Sequence, residues 1–474
     1  MKITFPHNLN MNALLLSRMC GGALRAERGG EIEIRGICTD SREADADTAF
    51  VALRGERVDG HDFIETVLKN GCRCVICEHS TQELEASGAA AIVTGDSELS
   101  LSRLANAYRK TLNTKTVGIT GSVGKTTTKE MIAAVLAREK NVYKSKGNFN
   151  SVIGMPLSLM ETPSECDVSI LEMGMSAFGE IERMSITAQP DIAVITNIGS
   201  SHMEMLGSRE NICRAKLEIL CGLADGGTLI LNGDEELLAN VGGKSYRTMY
   251  VSLLRQDADF FAQNIRMDAD STTFDVVYRG KTYEDMRLRL MGRHNVYAAL
   301  YAFAVGILSG LTPEDVRAGL LDFETAGMRQ NRYSHKNITI IEDCYNASPE
   351  SMIAAIDVLA AYTEKAGGRS VAVLGDMLEL GSGSSAAHRR VGLHLAKQKI
   401  DKLFTLGHDG MQIATGAMQG GMKITDITSE AERAQMQKLS QRLLSELRAG
   451  DVVLFKASRS VSLEKMIGFL KENY

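Results

Sequence analysis

A strand, a glycine-rich loop and a helix are predicted in direct succession by Thr116-Val-Gly-Ile-Thr-Gly-Ser-Val-Gly-Lys-Thr-Thr-Thr128 and the residues after it. The apolar run 117–119 has strand character, and Lys129-Glu-Met-Ile-Ala-Ala-Val-Leu136 has helical periodicity. Backbone N–H groups of such a loop wrap a polyphosphate, and the N-terminus of the helix favours its negative charge. The stretch therefore predicts a site for a nucleoside triphosphate.

Two side chains of this loop have an expected role in phosphate binding. Lys125 is placed to reach the β- and γ-phosphates, and Thr126 is placed to ligate Mg²⁺. The general pattern has a further glycine five residues before Gly124, where this chain has Ile119. A chance Gly-Lys-Thr in an ordinary turn is the alternative, and the flanking strand and helix disfavour it.

Length and composition limit the classes of protein to which the chain can belong. A chain of 474 residues suggests about three domains, and 44% hydrophobic with 24% charged residues is ordinary for a globular protein. A net charge of −6 argues against a nucleic-acid binder. No apolar run is long enough to span a bilayer, and the N-terminus does not resemble a signal peptide. We expect a cytoplasmic protein without membrane insertion.

Nine cysteines, an odd number scattered along the chain, fit reduced thiols in a cytosolic enzyme. Three of them cluster in Cys72-Arg-Cys-Val-Ile-Cys77, so a metal site is conceivable. The segment nevertheless has the composition of a short strand, and no fourth ligand follows at a finger-like spacing. We expect these thiols to be small buried hydrophobic groups.

The pattern along the chain predicts an α/β fold with three domains. Residues 1–96 contain four short strand-like runs and a helix, as in a small α/β domain. Residues 97–326 alternate strands with helices from Thr116 onward, which favours a mainly parallel central sheet, with an antiparallel section at 258–291. Residues 327–474 return to the same alternation, as in a Rossmann-like domain.

Polar residues follow several of the predicted parallel strands. Glu172 ends the run from Asp167, and His202 follows the run from Ile192. A carboxylate at a strand end beside a phosphate loop suits a nucleotide-bound Mg²⁺, although a strand-capping surface Glu fits the position equally well. A lone histidine is more often structural than a ligand, and an isolated helical lysine such as Lys216 is normally solvated.

Three further polar segments lie at predicted element boundaries in the second half of the chain. Gly292-Arg-His-Asn295 opens an apolar helix, where its side chains would cap the helix or contact a purine edge. Glu342-Asp-Cys-Tyr-Asn-Ala-Ser-Pro349 and Gly375-Asp-Met-Leu-Glu-Leu-Gly381 end strands in the last domain. Their position suggests that a second substrate binds in the same cleft.

These segments, in this order, resemble the Mur ligase family of ATP-dependent amide-bond synthetases over essentially the whole chain. The family's own phosphate loop has the form of 120–126, without the first glycine. Lys146-Gly-Asn-Phe-Asn-Ser-Val-Ile-Gly-Met-Pro156 matches the family's Asn-x-Asn-Asn-x-x-Gly-x-Pro stretch, except at Ser151. Family positions are also occupied by Glu172, His202, Lys216 and His294-Asn295, whereas Tyr297 and Ala298 interrupt the common His-Asn-x-x-Asn pattern.

Within the family, the resemblance implies particular substrates. Thr39-Asp-Ser-Arg42, Ala49-Phe-Val-Ala-Leu-Arg-Gly-Glu56 and Asp59-Gly-His-Asp-Phe63 are similar to the UDP-sugar domain of several members. The motifs of the last domain are most similar to members that add D-alanyl-D-alanine (D-Ala-D-Ala) to UDP-N-acetylmuramoyl-tripeptide (UDP-MurNAc-tripeptide). The resemblance therefore implies these two substrates, with ATP and Mg²⁺, in a protein that we expect to be monomeric.

The resemblance also implies a role for individual residues. It assigns catalysis to Lys125, Glu172, His202 and Lys216, with one Mg²⁺ on Thr126 and Glu172. A second Mg²⁺ is implied near His202, supported by a carbamylated Lys216. The implied nucleotide contacts are Gly121, Ser122, Val123, Gly124, Lys125, Thr126, Thr127, Asn295, Arg329 and Asp343, and the implied substrate contacts are Ser41, Arg42, Arg54, Asn148, Asn150, Tyr345 and Asn346.

Two alternative functions are considered against this expectation. One is a related ligase, either the one acting a step earlier or a folylpolyglutamate synthetase. The UDP-sugar-like first domain argues against the latter, and the absence of an Asp-Asn-Pro-Arg motif argues against the former. The other is a non-catalytic nucleotide-binding module, from which the metal-binding residues would be expected to be lost. Whether the third residue of the peptide is Lys or meso-diaminopimelate stays open.

Overall fold

Three β-sheets, one after another along the chain, organise the helices around them in this computed structural model. The structure describes residues 1–6, 11–25, 29–55, 57–243, 245–268, 270–325 and 327–474. The expected α/β class in three domains is confirmed. The expected domain boundary at Ala326, and Glu56 of the UDP-sugar-like stretch, lie outside the described residues.

The N-terminal sheet has the strand order β1-β3-β4-β5-β6-β2 within the described residues. Its inner strands are parallel and wholly or almost wholly buried, because helices cover both faces, while β1 and β2 pair antiparallel at the edges. The strands are β1 Lys2–Thr4, β2 Ala23–Arg25, β3 Gly36–Cys38, β4 Thr48–Val51, β5 Cys74–Cys77 and β6 Ala90–Val93, and the helices are α1 Ala13–Cys20, α2 Ile64–Lys69, α3 Gln82–Ser87 and α4 Ser97–Arg109.

The clustered cysteines are confirmed as core residues. Cys72, Cys74 and Cys77 are free and buried, and Cys74 and Cys77 begin and end β5. Burial in apolar surroundings raises the pKa of the Cys74 thiol. No group of three or more His, Cys, Asp or Glu side chains suited to a metal ion occurs among the residues that the structure describes.

The central sheet places the phosphate loop in its middle. The described strands run in the order β15-β14-β13-β12-β11-β10-β7-β9-β8, parallel except at β13-β14 and β14-β15. The strands are β7 Lys115–Thr120, β8 Val142–Lys144, β9 Val168–Glu172, β10 Ile192–Ile195, β11 Thr228–Asn232, β12 Arg247–Ser252, β13 Phe260–Met267, β14 Thr272–Tyr278 and β15 Lys281–Leu288.

Strand register brings the polar strand ends of this sheet together. Ile119 of β7 pairs with Glu172 of β9, and Thr120 pairs with Ile195 of β10. The carboxyl ends of the three strands therefore meet at one edge of the sheet. The helices of this part of the chain are α5 Lys125–Leu136, α6 Gly154–Met160, α7 Glu180–Ala188, α8 Met203–Leu206, α9 Arg209–Leu217, α10 Arg293–Leu308 and α11 Pro313–Leu321.

The C-terminal sheet has the order β16-β17-β21-β18-β19-β20 in the described part of the chain. Only β16 pairs antiparallel there, and the ends of β17 and β21 are adjacent because Glu342 pairs with Phe455. The strands are β16 Asn331–His335, β17 Ile338–Glu342, β18 Ser370–Gly375, β19 Lys402–Leu406, β20 Ile427–Glu430 and β21 Val452–Lys456, and the helices are α12 Pro349–Ala366, α13 Ser384–Lys397, α14 Gly410–Gln419, α15 Met436–Glu446 and α16 Glu464–Asn473.

Some elements differ from the sequence expectation. The second antiparallel strand, expected at Met286–Leu290, spans Lys281–Leu288, because the hairpin turns earlier, at Arg279 and Gly280, which both have positive φ. Short edge strands such as β8 have too few residues for a periodic signal. Among the described residues, no helix has both the length and the apolar character needed to cross a membrane.

Candidate active site

The phosphate loop is tied to the segment that follows β10. The backbone N–H of Val123 donates to Asn197 Oδ1 at 2.9 Å, and the N–H of Gly199 donates to Ser122 Oγ at 2.9 Å. Thr196 Oγ1 in turn donates to the carbonyl of Val123 at 2.6 Å. The conformation of the loop is therefore stabilised by hydrogen bonds to the segment that follows β10, in addition to the turn that its own glycines permit.

Two glycines of the loop are required for different reasons. Gly121 has φ +144°, and a Cβ there would lie 1.9 Å from Thr196 Oγ1, so any side chain would collide with the neighbouring strand end. Gly124 has φ +85° with open space around it, so its backbone conformation rather than contact favours glycine. It precedes α5, whose first-turn N–H groups have no partner within the helix and whose first residues line the central cavity described below.

Lys125 is the first residue of α5 and curls back over the loop. Its Nζ donates to the carbonyl of Gly121 at 2.7 Å. Burial lowers the pKa of this ammonium, and the nearby carboxylate of Glu172 opposes that shift. A partly desolvated cation inside a glycine-rich loop is suited to bind phosphate oxygens.

Thr126, Glu172 and Asn150 form a connected set of polar side chains beside Lys125. Thr126 Oγ1 donates to Glu172 Oε2 at 2.8 Å, and Asn150 Nδ2 donates to Glu172 Oε1 at 3.0 Å. Glu172 is only 4% exposed, so its carboxylate is oriented toward these partners rather than toward bulk water. A hydroxyl and a carboxylate in contact are hard oxygen donors, and this donor set fits Mg²⁺.

Lys129 is a buried residue beside the site that the sequence did not single out. It lies one turn after Lys125, is 1% exposed and donates from Nζ to the carbonyl of Ser145 at 2.6 Å. Ser145 Oγ accepts from the backbone N–H of Glu172 at 3.1 Å. The buried ammonium therefore fixes the segment that holds Glu172, and its only sequence signal was a lysine on the apolar face of α5.

His202 contacts the C-terminal part of the chain. It precedes α8 with φ 63°, and its Nδ1 lies 2.6 Å from Glu379 Oε2. That hydrogen bond lowers the pKa of the Glu379 carboxyl. In the same loop, Ser200 Oγ donates to Glu350 Oε1 at 2.8 Å. Neither carboxylate was predicted as a site residue, although Glu379 lies in a segment that the sequence had singled out.

Lys216 is buried rather than solvated. It lies near the end of α9 and is 2% exposed, and burial lowers the pKa of its ammonium well below the usual value, with a further contribution from the charge of Lys125. No hydrogen bond or ion pair to its ammonium occurs among the described residues. Unlike His202, Lys216 is not among the residues that line the central cavity.

The start of α10 forms another part of the site. Asn295 Nδ2 donates to the carbonyl of Met291 at 2.7 Å and to Gln330 Oε1 at 3.0 Å. Gln330 also bonds the Nε2 of His294 at 2.7 Å. Burial lowers the pKa of His294 to about 4, so the imidazole is neutral near pH 7. Gln330, which the sequence did not single out, connects the helix to the C-terminal domain.

The C-terminal wall carries a buried ion pair and a stacked guanidinium. Lys456 Nζ lies 2.6 Å from Asp343 Oδ2 and donates to the carbonyl of Asn346 at 3.0 Å. The Arg329 guanidinium lies over the Tyr345 ring, 4.0 Å from its centroid. Lys456 was not predicted, because its partner Asp343 is brought beside it only by the pairing of β17 with β21.

A cavity of about 710 Å³ brings these walls together. It lies between the phosphate loop and the C-terminal sheet. Its volume and its mixture of polar and apolar lining residues are those expected of a ligand site. Lys216 and Gly121 are not among its lining residues. The predicted site residues that line it are Ser122, Val123, Gly124, Lys125, Thr126, Thr127, Asn148, Asn150, Glu172, His202, Asn295, Arg329, Asp343, Tyr345 and Asn346.

The three residues expected to bind a UDP group belong to the N-terminal domain and do not line this cavity. Arg42 is 86% exposed and pairs with Asp40, whose carboxyl pKa it holds well below the usual range. Arg54 lies 2.9 Å from Glu78, and the carbonyl of Ser41 accepts from Asn70 at 3.3 Å. An exposed guanidinium is available to an anionic ligand at low desolvation cost.

Comparison with known proteins adds to this geometry. Three family models match the chain in order: the Mur ligase family catalytic domain at 33–117, the Mur ligase middle domain at 119–306 and the Mur ligase glutamate ligase domain at 328–459. The UDP-N-acetylmuramoyl-tripeptide–D-alanyl-D-alanine ligase of Bacillus subtilis (strain 168) is 39% identical over 97% of this chain and 98% of its own.

Solved structures are similar over the same extent. A crystal structure of MurF from Acinetobacter baumannii has a TM-score of 0.88 at 31% identity, covering 99% of this chain and 100% of the other. MurF from Thermotoga maritima in complex with ADP has a TM-score of 0.81 at 28% identity, covering 92% and 97%.

Proposed function

The chain belongs to the Mur ligase family, and we propose that it joins D-Ala-D-Ala to UDP-MurNAc-tripeptide at the expense of ATP. This reaction forms a peptide bond in peptidoglycan precursor synthesis, in the cytoplasm, and releases ADP and phosphate. The observation that carries the proposal is the cavity whose one wall is the phosphate loop and whose other wall belongs to the C-terminal domain. The alternative of another Mur-type ligase is not favoured, since relatives that are 39%, 34% and 32% identical and match over at least 94% of this chain bear this one activity in their names.

The chemistry explains why the cavity needs cationic and amide groups. The tripeptide ends in a carboxylate, which is a poor electrophile until ATP converts it into an acyl phosphate. The amine of D-Ala-D-Ala then attacks the carbonyl carbon, and the C–O bond to phosphate breaks as the tetrahedral intermediate collapses. In the first step two anions are held in contact, so Lys125 has the role of neutralising phosphate charge while the loop N–H groups fix its position.

The hydroxyl of Thr126 and the carboxylate of Glu172 would hold Mg²⁺, since both are hard oxygen donors. When bound, that ion neutralises charge that develops on the phosphate oxygens. Asn150 orients the Glu172 carboxylate from one side, and Ser145 fixes its backbone from the other. We further propose that Asn295 contacts the adenine and that Arg329 and Asp343 reach the nucleotide from the C-terminal domain.

Lys216 is proposed to carry a carbamate that supports a second Mg²⁺ near His202. Burial without a carboxylate partner favours the neutral amine, and only that form attacks CO₂. The carbamate converts a cation into an anion that a nearby metal ion attracts. His202 supports the same proposal as a nitrogen donor at the cavity.

The three domains have separate proposed roles. Residues 1–96 bind the UDP end of the acceptor through Ser41, Arg42 and Arg54, and residues 97–326 bind ATP. Residues 327–474 bind D-Ala-D-Ala, with Tyr345 and Asn346 on the cavity wall, and close on the nucleotide. Closure excludes water from the acyl phosphate, which would otherwise be hydrolysed.

A coupled phosphate-release assay tests the proposed function. The protein is given ATP, Mg²⁺ and D-Ala-D-Ala with the UDP-tripeptide that ends in Lys or the one that ends in meso-diaminopimelate. We expect phosphate release with at least one of them, and none when D-Ala-D-Ala is replaced by L-Ala-L-Ala or by a single amino acid. Release with a single amino acid but not with the dipeptide would instead assign the chain to an earlier ligase step.

A further inference from the structure

Two non-glycine residues with left-handed backbone meet at the interface between the central and C-terminal domains. His202 has φ 63° and precedes α8, and Glu379 has φ 64° in the loop that follows β18. This conformation is uncommon outside glycine, and it persists only where the surrounding contacts hold it. Because both residues of the His202–Glu379 contact have this backbone conformation, we infer that the conformation of each loop is adapted to the contact.

The backbone around Glu379 is docked on the start of α8. The N–H of Glu204 donates to the carbonyl of Glu379 at 3.1 Å. Gly381, with φ +57°, lies so close that a Cβ there would be 3.1 Å from Glu204 Cα. The Glu379 carboxylate is thereby aimed at the imidazole of His202, with Oε2 2.6 Å from Nδ1.

This contact determines which nitrogen of His202 is available. An ionised carboxylate only accepts hydrogen bonds, so the proton of the bond belongs to Nδ1. In the neutral ring it is then Nε2 that carries the lone pair, and no other hydrogen bond to the ring occurs among the described residues. A histidine that binds a ligand through one nitrogen commonly donates its other N–H to a carboxylate, which fixes both the tautomer and the ring orientation.

The imidazole and the carboxylate of this hydrogen bond come from different domains. His202 belongs to the loop after β10 of the central domain, whereas Glu379 belongs to the C-terminal domain. The same loop of the central domain is held a second time by Glu350, which accepts from Ser200 Oγ at 2.8 Å. The orientation of His202 is therefore complete only when the two domains are in contact.

We propose that Glu379 is a positioning residue that fixes the tautomer and orientation of His202, so that Nε2 is presented to the cavity only in the closed arrangement of the domains. The inference rests on the proposed function where turnover is concerned, but the contact itself is independent of it. Closure thus completes the site chemically as well as excluding water from it.

The test compares Glu379→Gly, Glu379→Ala and Glu379→Gln with the control Asp357→Asn. Asp357 makes a similar bond, to His394 Nε2 at 2.6 Å, but entirely within the C-terminal domain and outside the cavity. Glycine accepts the left-handed conformation, so Glu379→Gly removes the carboxylate without straining the loop, and comparing its melting temperature with that of Glu379→Ala separates loss of the carboxylate from backbone strain.

The first readout is the imidazole ¹⁵N spectrum of His202, assigned by its loss in His202→Gln. It is recorded with a non-hydrolysable ATP analogue and the UDP-tripeptide bound, and again on the free protein. We expect the Nδ1–H tautomer in the closed wild type and in Asp357→Asn, and its loss in Glu379→Gly. An identical His202 spectrum in wild type and Glu379→Gly would overturn the proposal.

The second readout is the separate effect of each variant on kcat and on KM for ATP. We expect kcat to fall about 10–100-fold in Glu379→Gly and Glu379→Ala while KM for ATP stays within about twofold, and Glu379→Gln to retain more activity because its amide oxygen still accepts from Nδ1. Unchanged kcat in Glu379→Gly, or an equal loss in Asp357→Asn, would contradict the positioning role. An inactive wild type would count against the proposed function alone, because the spectra test the contact without turnover.

Discussion

Lys125 is the residue that most directly joins the phosphate loop to the proposed chemistry. Its Nζ already lies over the loop, 2.7 Å from the carbonyl of Gly121. We predict that Lys125→Ala lowers kcat by at least about 10²-fold, because the variant loses charge stabilisation at the transferring phosphate. Steady-state phosphate release measures the effect.

Lys115→Ala is the matched control for this prediction. Lys115 begins β7 on the same strand-loop-helix segment, but its side chain is exposed and outside the cavity. Both variants should keep the melting temperature of the wild type, since neither side chain packs in the core. A folded Lys125→Ala protein with near-normal turnover would exclude the loop as the ATP site.

Lys216 offers a sharper test at the same scale. A buried amine with a lowered pKa and no carboxylate partner is an unusual structural lysine. We predict that Lys216→Ala abolishes turnover and that acetate or another short carboxylic acid partly restores it, because the acid replaces the carbamate. The wild type equilibrated with ¹³CO₂ should also show a carbamate ¹³C signal that the variant lacks.

Lys110→Ala, an exposed lysine at the end of α4, controls for a general effect of carboxylic acids on the assay. Wild-type turnover in Lys216→Ala, or a loss that no short acid relieves, would leave Lys216 with a structural role. The carbamate would then be dropped from the mechanism, while the Thr126–Glu172 donor pair would be unaffected.

His294, at the start of helix α10, makes the free energy of unfolding depend on pH. The pKa of His294 is about 4 in the folded protein, against an ordinary value of 6.5, because burial disfavours the charged imidazole. The unfolded chain therefore binds more protons than the folded one between these values. The stabilisation is fully present above pH 6.5 and is lost as pH falls towards 4.

We predict that His294→Asn flattens this part of the pH dependence. Urea unfolding at several values between pH 7 and 4 should show that the free energy of unfolding of the wild type falls more steeply than that of the variant. His408→Asn, at a residue whose side chain is 92% exposed, should follow the wild type. Parallel curves for wild type and His294→Asn would show that His294 takes up its proton as readily folded as unfolded.

At the scale of the whole molecule, the proposal that the N-terminal domain binds the UDP group and the central domain binds ATP is testable. Arg42 lies in the N-terminal domain and does not line the central cavity. We predict that Arg42→Ala raises KM for the UDP-tripeptide and leaves KM for ATP unchanged, because a lost contact to the UDP end weakens binding of that substrate only. Initial rates at varied concentrations of each substrate measure the two constants.

Arg35→Ala is the control, since Arg35 is another exposed arginine of this domain that pairs with a neighbouring carboxylate, Glu33. It should change neither constant. If Arg42→Ala raised KM for ATP and spared the UDP-tripeptide, the assignment of residues 1–96 to the UDP end would be wrong.

Local patterns in the sequence were sufficient to predict much of the fold. The strand-loop-helix of β7 and α5, the apolar helix α10 and the alternation of strands and helices depend on the periodicity of neighbouring residues. Edge strands such as β8 and the exact span of β15 were missed or shifted, because they are short or depend on a turn with positive φ. Phosphate-loop residues were predictable because their roles follow from spacing within one segment.

The sequence by itself determined the class of fold, the phosphate loop and the order of the polar strand ends, since each is encoded in consecutive residues. Only the tertiary structure decided which of those residues face one another. The pairs Lys129–Ser145, Asp343–Lys456 and His202–Glu379 depend on strand register and domain contact between segments far apart in the chain. A sequence pattern specifies secondary structure through local periodicity, but contacts between distant side chains exist only after the sheets and domains have packed.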